Sequence, residues 1–250
     1  MFKGFYNLAS GVLTQTRHLN VIGNNMANIS TPGFRQDTFT QTTFQDELIY
    51  RIGNTDKSNP TPIGRMNCIV TGDGNVTNYT QGGITPTASS LDFALQESGF
   101  FAVQTADGVM YTRNGSFILD DQGYLYLDGV GRVLGTNGPI YLGTDKISCD
   151  SLGNITSEET GQYFGRIRVV DFQDYDTELE KTTGDMFTAT GAPRDVNAYI
   201  RQKFLEDSNV DVISEYTQMM AKQRALQSSA QVLKMYDQLA GRIVQIGPSN

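Results

Sequence analysis

Tryptophan is absent from the chain, histidine occurs once and cysteine twice, and no run of Lys or Arg appears anywhere in its 250 residues. Each scarcity excludes a class of function. The single imidazole, His18, has no Asp, Glu or Cys near it in sequence, so it reads as a surface or interface residue and not as a catalyst. Ser-His-Asp chemistry would need that same histidine, and no G-x-S-x-G turn accompanies it. Cys68 and Cys149 stand far apart without C-x-x-C spacing, which excludes a disulfide scaffold and a structural zinc site. They read as two buried free thiols in preference to one disulfide. With a formal net charge of -8 and no basic stripe, nucleic acid is not an expected partner. Long apolar runs are missing as well. The first thirty residues hold apolar side chains only in pairs such as Val12-Leu13 and Val21-Ile22, giving neither a signal-peptide core nor a membrane span. No direct membrane insertion is expected.

Phosphate-binding patterns are equally scarce, because Gly72-Asp73-Gly74 and Gly129-Val130-Gly131 fit turns and extend into no nucleotide fingerprint. The adjacent carboxylates Asp120-Asp121 and Glu158-Glu159 would point to opposite faces of a strand, and read as solvated turns. No catalytic residue, cofactor or metal site is expected, and the chain does not read as an enzyme. Its composition, with 38% hydrophobic residues and 26 Gly against 7 Pro, is that of a turn-rich globular chain of one or two domains.

Two helices are written at the ends. Phe5, Leu8, Val12, Leu19, Ile22, Met26 and Ile29 recur at alternating spacings of three and four once Gln15 fills the gap, which predicts a helix with a heptad seam. Gly4, Gly11 and Gly23 lie in that segment, each costing about 1 kcal/mol relative to Ala, so a lone helix here is marginal and needs a partner. The C-terminal segment offers one. Val212, Tyr216, Met219, Leu226, Ala230 and Leu233 form a stripe, with Val232, Tyr236, Leu239 and Ile243 beside it. Ser208 and Asp211 have capping-box-like spacing ahead of this helix, and Gly247-Pro248 is its stop signal.

Between the helices the chain reads as strands. Apolar runs such as Gly99–Val103 and Tyr124–Leu127 alternate with Asp107-Gly108, Asn114-Gly115 and Asp121-Gln122-Gly123, which are hairpin signals. The stretch 53–83, rich in Asn, Thr, Pro and Gly, reads as a long loop or extended arm. The expected fold class is α+β: long N- and C-terminal helices packing together as a coiled-coil-like domain, with a central all-β domain of short strands and hairpins. The expected segments are 1–35 (helix and turn), 36–83 (arm), 84–205 (β-domain) and 206–250 (helix). Periodicity alone fits a polymer subunit and a soluble β-rich binding domain with its terminal helices packed on the sheet equally well.

Three ordered blocks separate these readings. Residues 21–35 run Val-Ile-Gly-Asn-Asn-Met-Ala-Asn-Ile-Ser-Thr-Pro-Gly-Phe-Arg. This resembles the N-terminal signature of the flagellar basal-body rod and hook protein family, matched at Asn24, Asn25, Ala27, Asn28, Thr31, Gly33 and Phe34, with Met26 for the usual Leu and Gly23 for the usual Ala. Ser90–Leu95, Gly99-Phe100-Phe101 and Tyr111–Phe117 are similar to the family's central block, and Ser208–Val212 with Met220, Gln223 and Arg224 to its C-terminal signature. The resemblance implies a structural subunit of the tubular rod, polymerising through its terminal helices with itself and with other rod or hook proteins. By length it is more like a proximal or distal rod subunit than a hook subunit. The assembly residues it implies, together with the two stripes, are Phe5, Leu8, Val12, Leu19, Ile22, Asn24, Asn25, Met26, Asn28, Thr31, Gly33, Phe34, Val212, Tyr216, Met219, Leu226 and Leu233. The resemblance also implies export by the flagellar type III apparatus without a cleaved signal peptide, and an extracytoplasmic place in the basal body. The first thirty residues, charged only at Lys3 and Arg17, fit such an export region.

Overall fold

The computed structural model describes residues 2–44, 47–51, 61–66, 69–182 and 184–246. Cys68 and the expected helix stop Gly247-Pro248 lie outside the described residues. The architecture is α+β: a helix Phe2–Ala27, a succession of short strands paired antiparallel in the central region, and a helix Val212–Ile246. The chain divides into two compact units, one of residues 1–25, 37–76 and 212–250, the other of residues 26–36 and 77–211.

The first unit holds both long helices. With them are four strands, β1 (Asp37–Phe44), β2 (Glu47–Arg51), β3 (Thr61–Met66) and β4 (Ile69–Thr77). β1 pairs with β4, and β2 pairs antiparallel with β3. The described part of the stretch 36–83 is thus a strand ladder more than a loop. Its side chains are nevertheless largely exposed, as the shortage of apolar residues there dictates. Thr40 donates its hydroxyl to the Gly74 carbonyl across the β1–β4 pair at 2.9 Å.

The second unit is the β-domain. Its largest sheet is centred on β5 (Phe100–Thr105), which hairpins into β6 (Gly108–Thr112) at the Asp107-Gly108 turn, with Thr105 opposite Gly108. Phe117–Leu119 and Leu125–Leu127 form the next hairpin, closed by Asp120-Asp121-Gln122-Gly123. The Asp120 carboxylate accepts the amides of Gln122 and Tyr124, so the turn residue itself fixes the bend. Asp150 does the same for Leu152 and Asn154, in the turn between Ile147–Cys149 and Asn154–Ser157. Alternation along these strands sends Phe93, Phe101, Phe117, Leu125, Val133, Ile147, Ile155 and Ile167 into one core. On the other face of the sheet Phe100, Tyr111, Phe172 and Phe187 form a second cluster. Cys149 is a free thiol at the edge of the first core, and burial followed by the Asp150 charge pushes its pKa up to about 12. Such a thiol is inert, as expected of a structural cysteine.

The start of the C-terminal helix differs from the sequence expectation. The helix begins at Val212, four residues after Ser208, whose hydroxyl accepts the Val210 amide instead of closing a capping box. Strands Ile200–Gln202 and Phe204–Glu206 pair with Phe93–Leu95 and Ile84–Pro86, and these pairings hold the preceding chain extended.

Candidate assembly interface

Within the helical unit, side chains from the two ends of the chain meet at three places. A methyl group added at Gly4 would come within 3.0 Å of the Tyr236 hydroxyl. The Lys222 ammonium is near enough to His18 to disfavour its protonation, although burial is the larger cause of that depressed pKa. Asn25 donates its amide to the Glu215 carboxylate at 3.3 Å. Fourteen and then seven residues forward along one helix therefore correspond to fourteen and then seven back along the other. These three contacts run antiparallel along the two helices, at intervals of whole heptads.

Burial along the C-terminal helix follows the same rhythm. Glu215 is buried and Met219, Lys222, Leu226, Ser229, Leu233 and Tyr236 are half-buried, at alternating spacings of four and three. Val212, Ile213, Tyr216, Met220, Met235 and Leu239 are exposed, Ile213 by 78%. At about 100° per residue Ile213, Met220 and Met235 fall on the side of the helix opposite the half-buried row, and Val212, Tyr216 and Leu239 fall on its flanks. Leu13 and Tyr6 are likewise exposed on the N-terminal helix, away from Gly4, His18 and Asn25. Each helix thus leaves large apolar side chains exposed on the side away from its contact row.

Of the expected assembly residues, Ile22, Asn25, Gly33 and Phe34 are buried. Leu8, Val12, Leu19, Met26, Asn28, Thr31, Met219, Leu226 and Leu233 are half-buried, whereas Phe5, Asn24, Val212 and Tyr216 are exposed. The row facing the partner helix is displaced from the apolar stripe read from spacing. Gly4, His18 and Asn25 carry it, and a hydrophobicity pattern passes over all three. Asn25 also closes on β1: its amide donates to the Asp37 carbonyl at 2.8 Å and its carbonyl accepts the Asp37 amide at 3.0 Å.

The β-domain unit brings together the end of the first signature block (residues 26–35), the central block and the start of the last (residues 208–211). Thr31 donates its amide to the Asn28 carbonyl, and Gly33 takes φ +69°, turning the chain out of the helix. The Gly33 amide donates to the Glu206 carbonyl at 2.7 Å, and a side chain at Gly33 would strike the backbone of Arg113 and Asn114. Phe34 is fully buried, with the Lys181 ammonium 4.0 Å above its ring centre. Asn209 completes the junction. Its carbonyl accepts the Gln36 amide at 2.7 Å while its own amide donates to the carbonyls of Asn78 and Thr80.

At the centre lies a buried charge cluster that sequence inspection does not single out. The Glu206 carboxylate receives Arg35 at 2.7 Å and Arg113 at 3.2 Å, and also accepts the Gly82 amide. Arg35 donates further to the Thr80 carbonyl at 2.7 Å. Burial pulls the Arg113 pKa down, opposed by Glu206 and reinforced by Arg35. Two guanidiniums and one carboxylate out of water are held by hydrogen bonds from four stretches of chain. Removing the shared partner leaves two buried cations. Charge patterning offers no hint of this, because a solvated Glu and a buried Glu look alike in sequence.

Among the described residues no three His, Cys, Asp or Glu side chains gather to hold a metal ion. No described helix is long and apolar enough to cross a membrane. A cavity of about 290 Å³ lies in the helical unit beside Arg17, Asn20, Phe39 and Asn75.

Comparison with known proteins gives the same ordered blocks. Residues 5–35 match the family profile "Flagella basal body rod protein", residues 94–157 the "Flagellar hook protein FlgE/F/G D1 domain" and residues 201–246 the "Flagellar basal body rod FlgEFG protein C-terminal". The chain is 31% identical to the flagellar basal-body rod protein FlgG of Bacillus subtilis, over 98% of this chain and 99% of that protein. It is 32% identical to FlgF of Caulobacter vibrioides (96% and 94% covered) and 30% identical to FlgF of Escherichia coli (95% and 96%).

Proposed function

The chain belongs to the flagellar basal-body rod protein family, and from that premise we propose that it is a structural subunit of the rod, built into the tube through its paired terminal helices. The observation that carries this reading is the set of large apolar side chains that the helices leave exposed: Val212, Ile213, Tyr216 and Met220 at the start of one helix and Met235 and Leu239 near its end, with Tyr6 and Leu13 on the other. Exposed large apolar side chains clustered on a helix mark a contact surface, and a neighbouring copy or another rod or hook protein offers the same kind of surface in return. The four-three rhythm of half-buried positions supports a coiled-coil-like pairing of the two helices. The β-domain, with its own two-sided core, supplies mass to the tube wall and needs no chemistry. The subunit works by position alone, in the basal body and outside the cytoplasm. Export through the flagellar type III apparatus is favoured by a first thirty residues that carry Lys3 and Arg17 but no acid.

The test is genetic and structural together. Deleting the gene abolishes swimming and leaves basal bodies with truncated rods, and the wild-type chain restores both. A deletion strain that swims with complete basal bodies overturns the proposal.

A further inference from the structure

The pairing of the terminal helices has a feature that polymerisation does not require. Polar or glycine positions recur every seventh residue on both partners: Gly4, Gly11, His18 and Asn25 on one, Glu215, Lys222, Ser229 and Tyr236 on the other. Asn25 and Glu215, both buried, close the series with a direct hydrogen bond. We propose that Asn25 and Glu215 are the register-determining residues of the helix pair, allowing the two ends of the chain to pair in one alignment and excluding slips by a heptad. The proposal rests on the antiparallel pairing described above.

Three observations carry it. The apolar layers between these positions, such as Leu8, Ile22, Met219 and Leu233, are interchangeable to first order, so apolar burial alone discriminates poorly between alignments a heptad apart. Asn25 is fixed independently of the C-terminal helix by its two hydrogen bonds to the Asp37 backbone, so its amide is aimed before the partner arrives. Either slip separates the two. Moved one way, Asn25 falls opposite position 208, ahead of the helix that begins at Val212. Moved the other way, Glu215 falls opposite position 32, beyond the helix that ends at Ala27, and Asn25 meets Lys222. A buried carboxylate stripped of its amide partner is strongly disfavoured, which makes the layer selective and not merely adhesive.

Disulfide trapping in the purified full-length chain, with Cys68 and Cys149 replaced by Ser, tests this. Gly11 is open, since an added side chain meets nothing within 4 Å, and in the native register it lies level with Ser229. Three pairs are oxidised in separate proteins: Gly11→Cys with Ser229→Cys for the native register, and Gly11→Cys with Lys222→Cys or Tyr236→Cys for the slips. An intrachain bond leaves the monomer mass on a non-reducing gel. The native pair is expected to close and the slipped pairs not. Adding Asn25→Leu with Glu215→Leu, an apolar layer that keeps the helices paired, raises the slipped products by roughly tenfold relative to the native one, the ratio that about 1.4 kcal/mol of register bias produces. Glu215→Gln alone, which still accepts the Asn25 amide, keeps the native product. If the leucine layer leaves the native product alone, the register assignment to Asn25 and Glu215 is overturned while the pairing stands. If the slipped pairs close already in the parent, or the native pair never closes, the pairing itself is wrong and the inference falls with it.

Discussion

Gly33 and Glu206 show how single residues hold the junction of the signature blocks. Gly33 combines a φ of +69° with a backbone neighbour where a side chain would project, so alanine there meets both a left-handed penalty and a steric one. Gly33→Ala is expected to lower the stability of the β-domain by at least about 2 kcal/mol, read as a shift in its urea midpoint. Glu206 acts through charge. Its removal strands Arg35 and Arg113, whose side chains are only 1% and 5% exposed, so Glu206→Ala is expected to cost about 3–5 kcal/mol. Replacing Glu206, Arg35 and Arg113 together by apolar residues of similar volume is expected to cost far less than Glu206→Ala. A triple variant as unstable as the single one would show that the cluster acts by shape and not by charge. Gly33, Arg35 and Arg113 are visible in sequence as members of recurrent blocks, but their meeting is not. The blocks lie about eighty residues apart, and only the strand pairings that bring Glu206 beside Ile84 close the distance.

At the scale of elements, the two helices were legible and their contact row was not. Three-four spacing identifies a helix and its apolar stripe, yet the row that meets the partner includes Gly4, His18, Lys222, Asn25 and Glu215, which a hydrophobic pattern discounts. The hairpins at Asp107-Gly108 and Asp120–Gly123 were legible for a sturdier reason, since these residues dictate the bend locally, whereas Asn114-Gly115, read as a third hairpin signal, joins two strands that do not pair with each other. The arm was harder, because β1 to β4 contain few apolar residues and are defined by ladder partners rather than by burial. The helix row also makes a pH prediction. His18 packs against the Phe39 ring, with its Nδ1 buried and unpartnered among the described residues. Burial first, and then Lys222, hold its pKa below the ordinary 6.5. The unfolded chain therefore takes up a proton that the folded pair resists. This part of the stability is complete above the ordinary value, declines as pH falls through it, and levels off only below the depressed folded value. Helix content followed between about pH 7.5 and 5.5 should fall in the parent and fall less in His18→Gln. Lys222→Met should reduce the effect without abolishing it, since burial is the larger cause. Equal pH profiles for parent and His18→Gln would remove His18 from the account.

One unit of the molecule is a β-domain with a closed core and the other holds helices that leave large apolar side chains in water, an asymmetry that suits a part made to be built in. Its sharpest consequence lies at Ile213. The side chain is 78% exposed and sits in the first turn of the C-terminal helix, on the side away from Glu215 and Met219. An acid in a first helical turn is favoured by the helix dipole by about 0.3–1 kcal/mol. Ile213→Asp should therefore leave the isolated chain as stable as the parent, or slightly more so, with unchanged helix content. In an assembly the same carboxylate would be forced into an apolar contact, losing about 1.5–3 kcal/mol of burial at each interface and adding the cost of desolvating a charge. A polymer repeats that loss at every subunit. The expected result is a well-folded chain that no longer supports swimming in soft agar and is missing from purified basal bodies, while Ile213→Val, which keeps an apolar surface, still assembles. Normal swimming by the Asp variant would show that this face stays in water and that the stripe on the opposite side of the helix pair, around Tyr6 and Leu13, carries the contact instead.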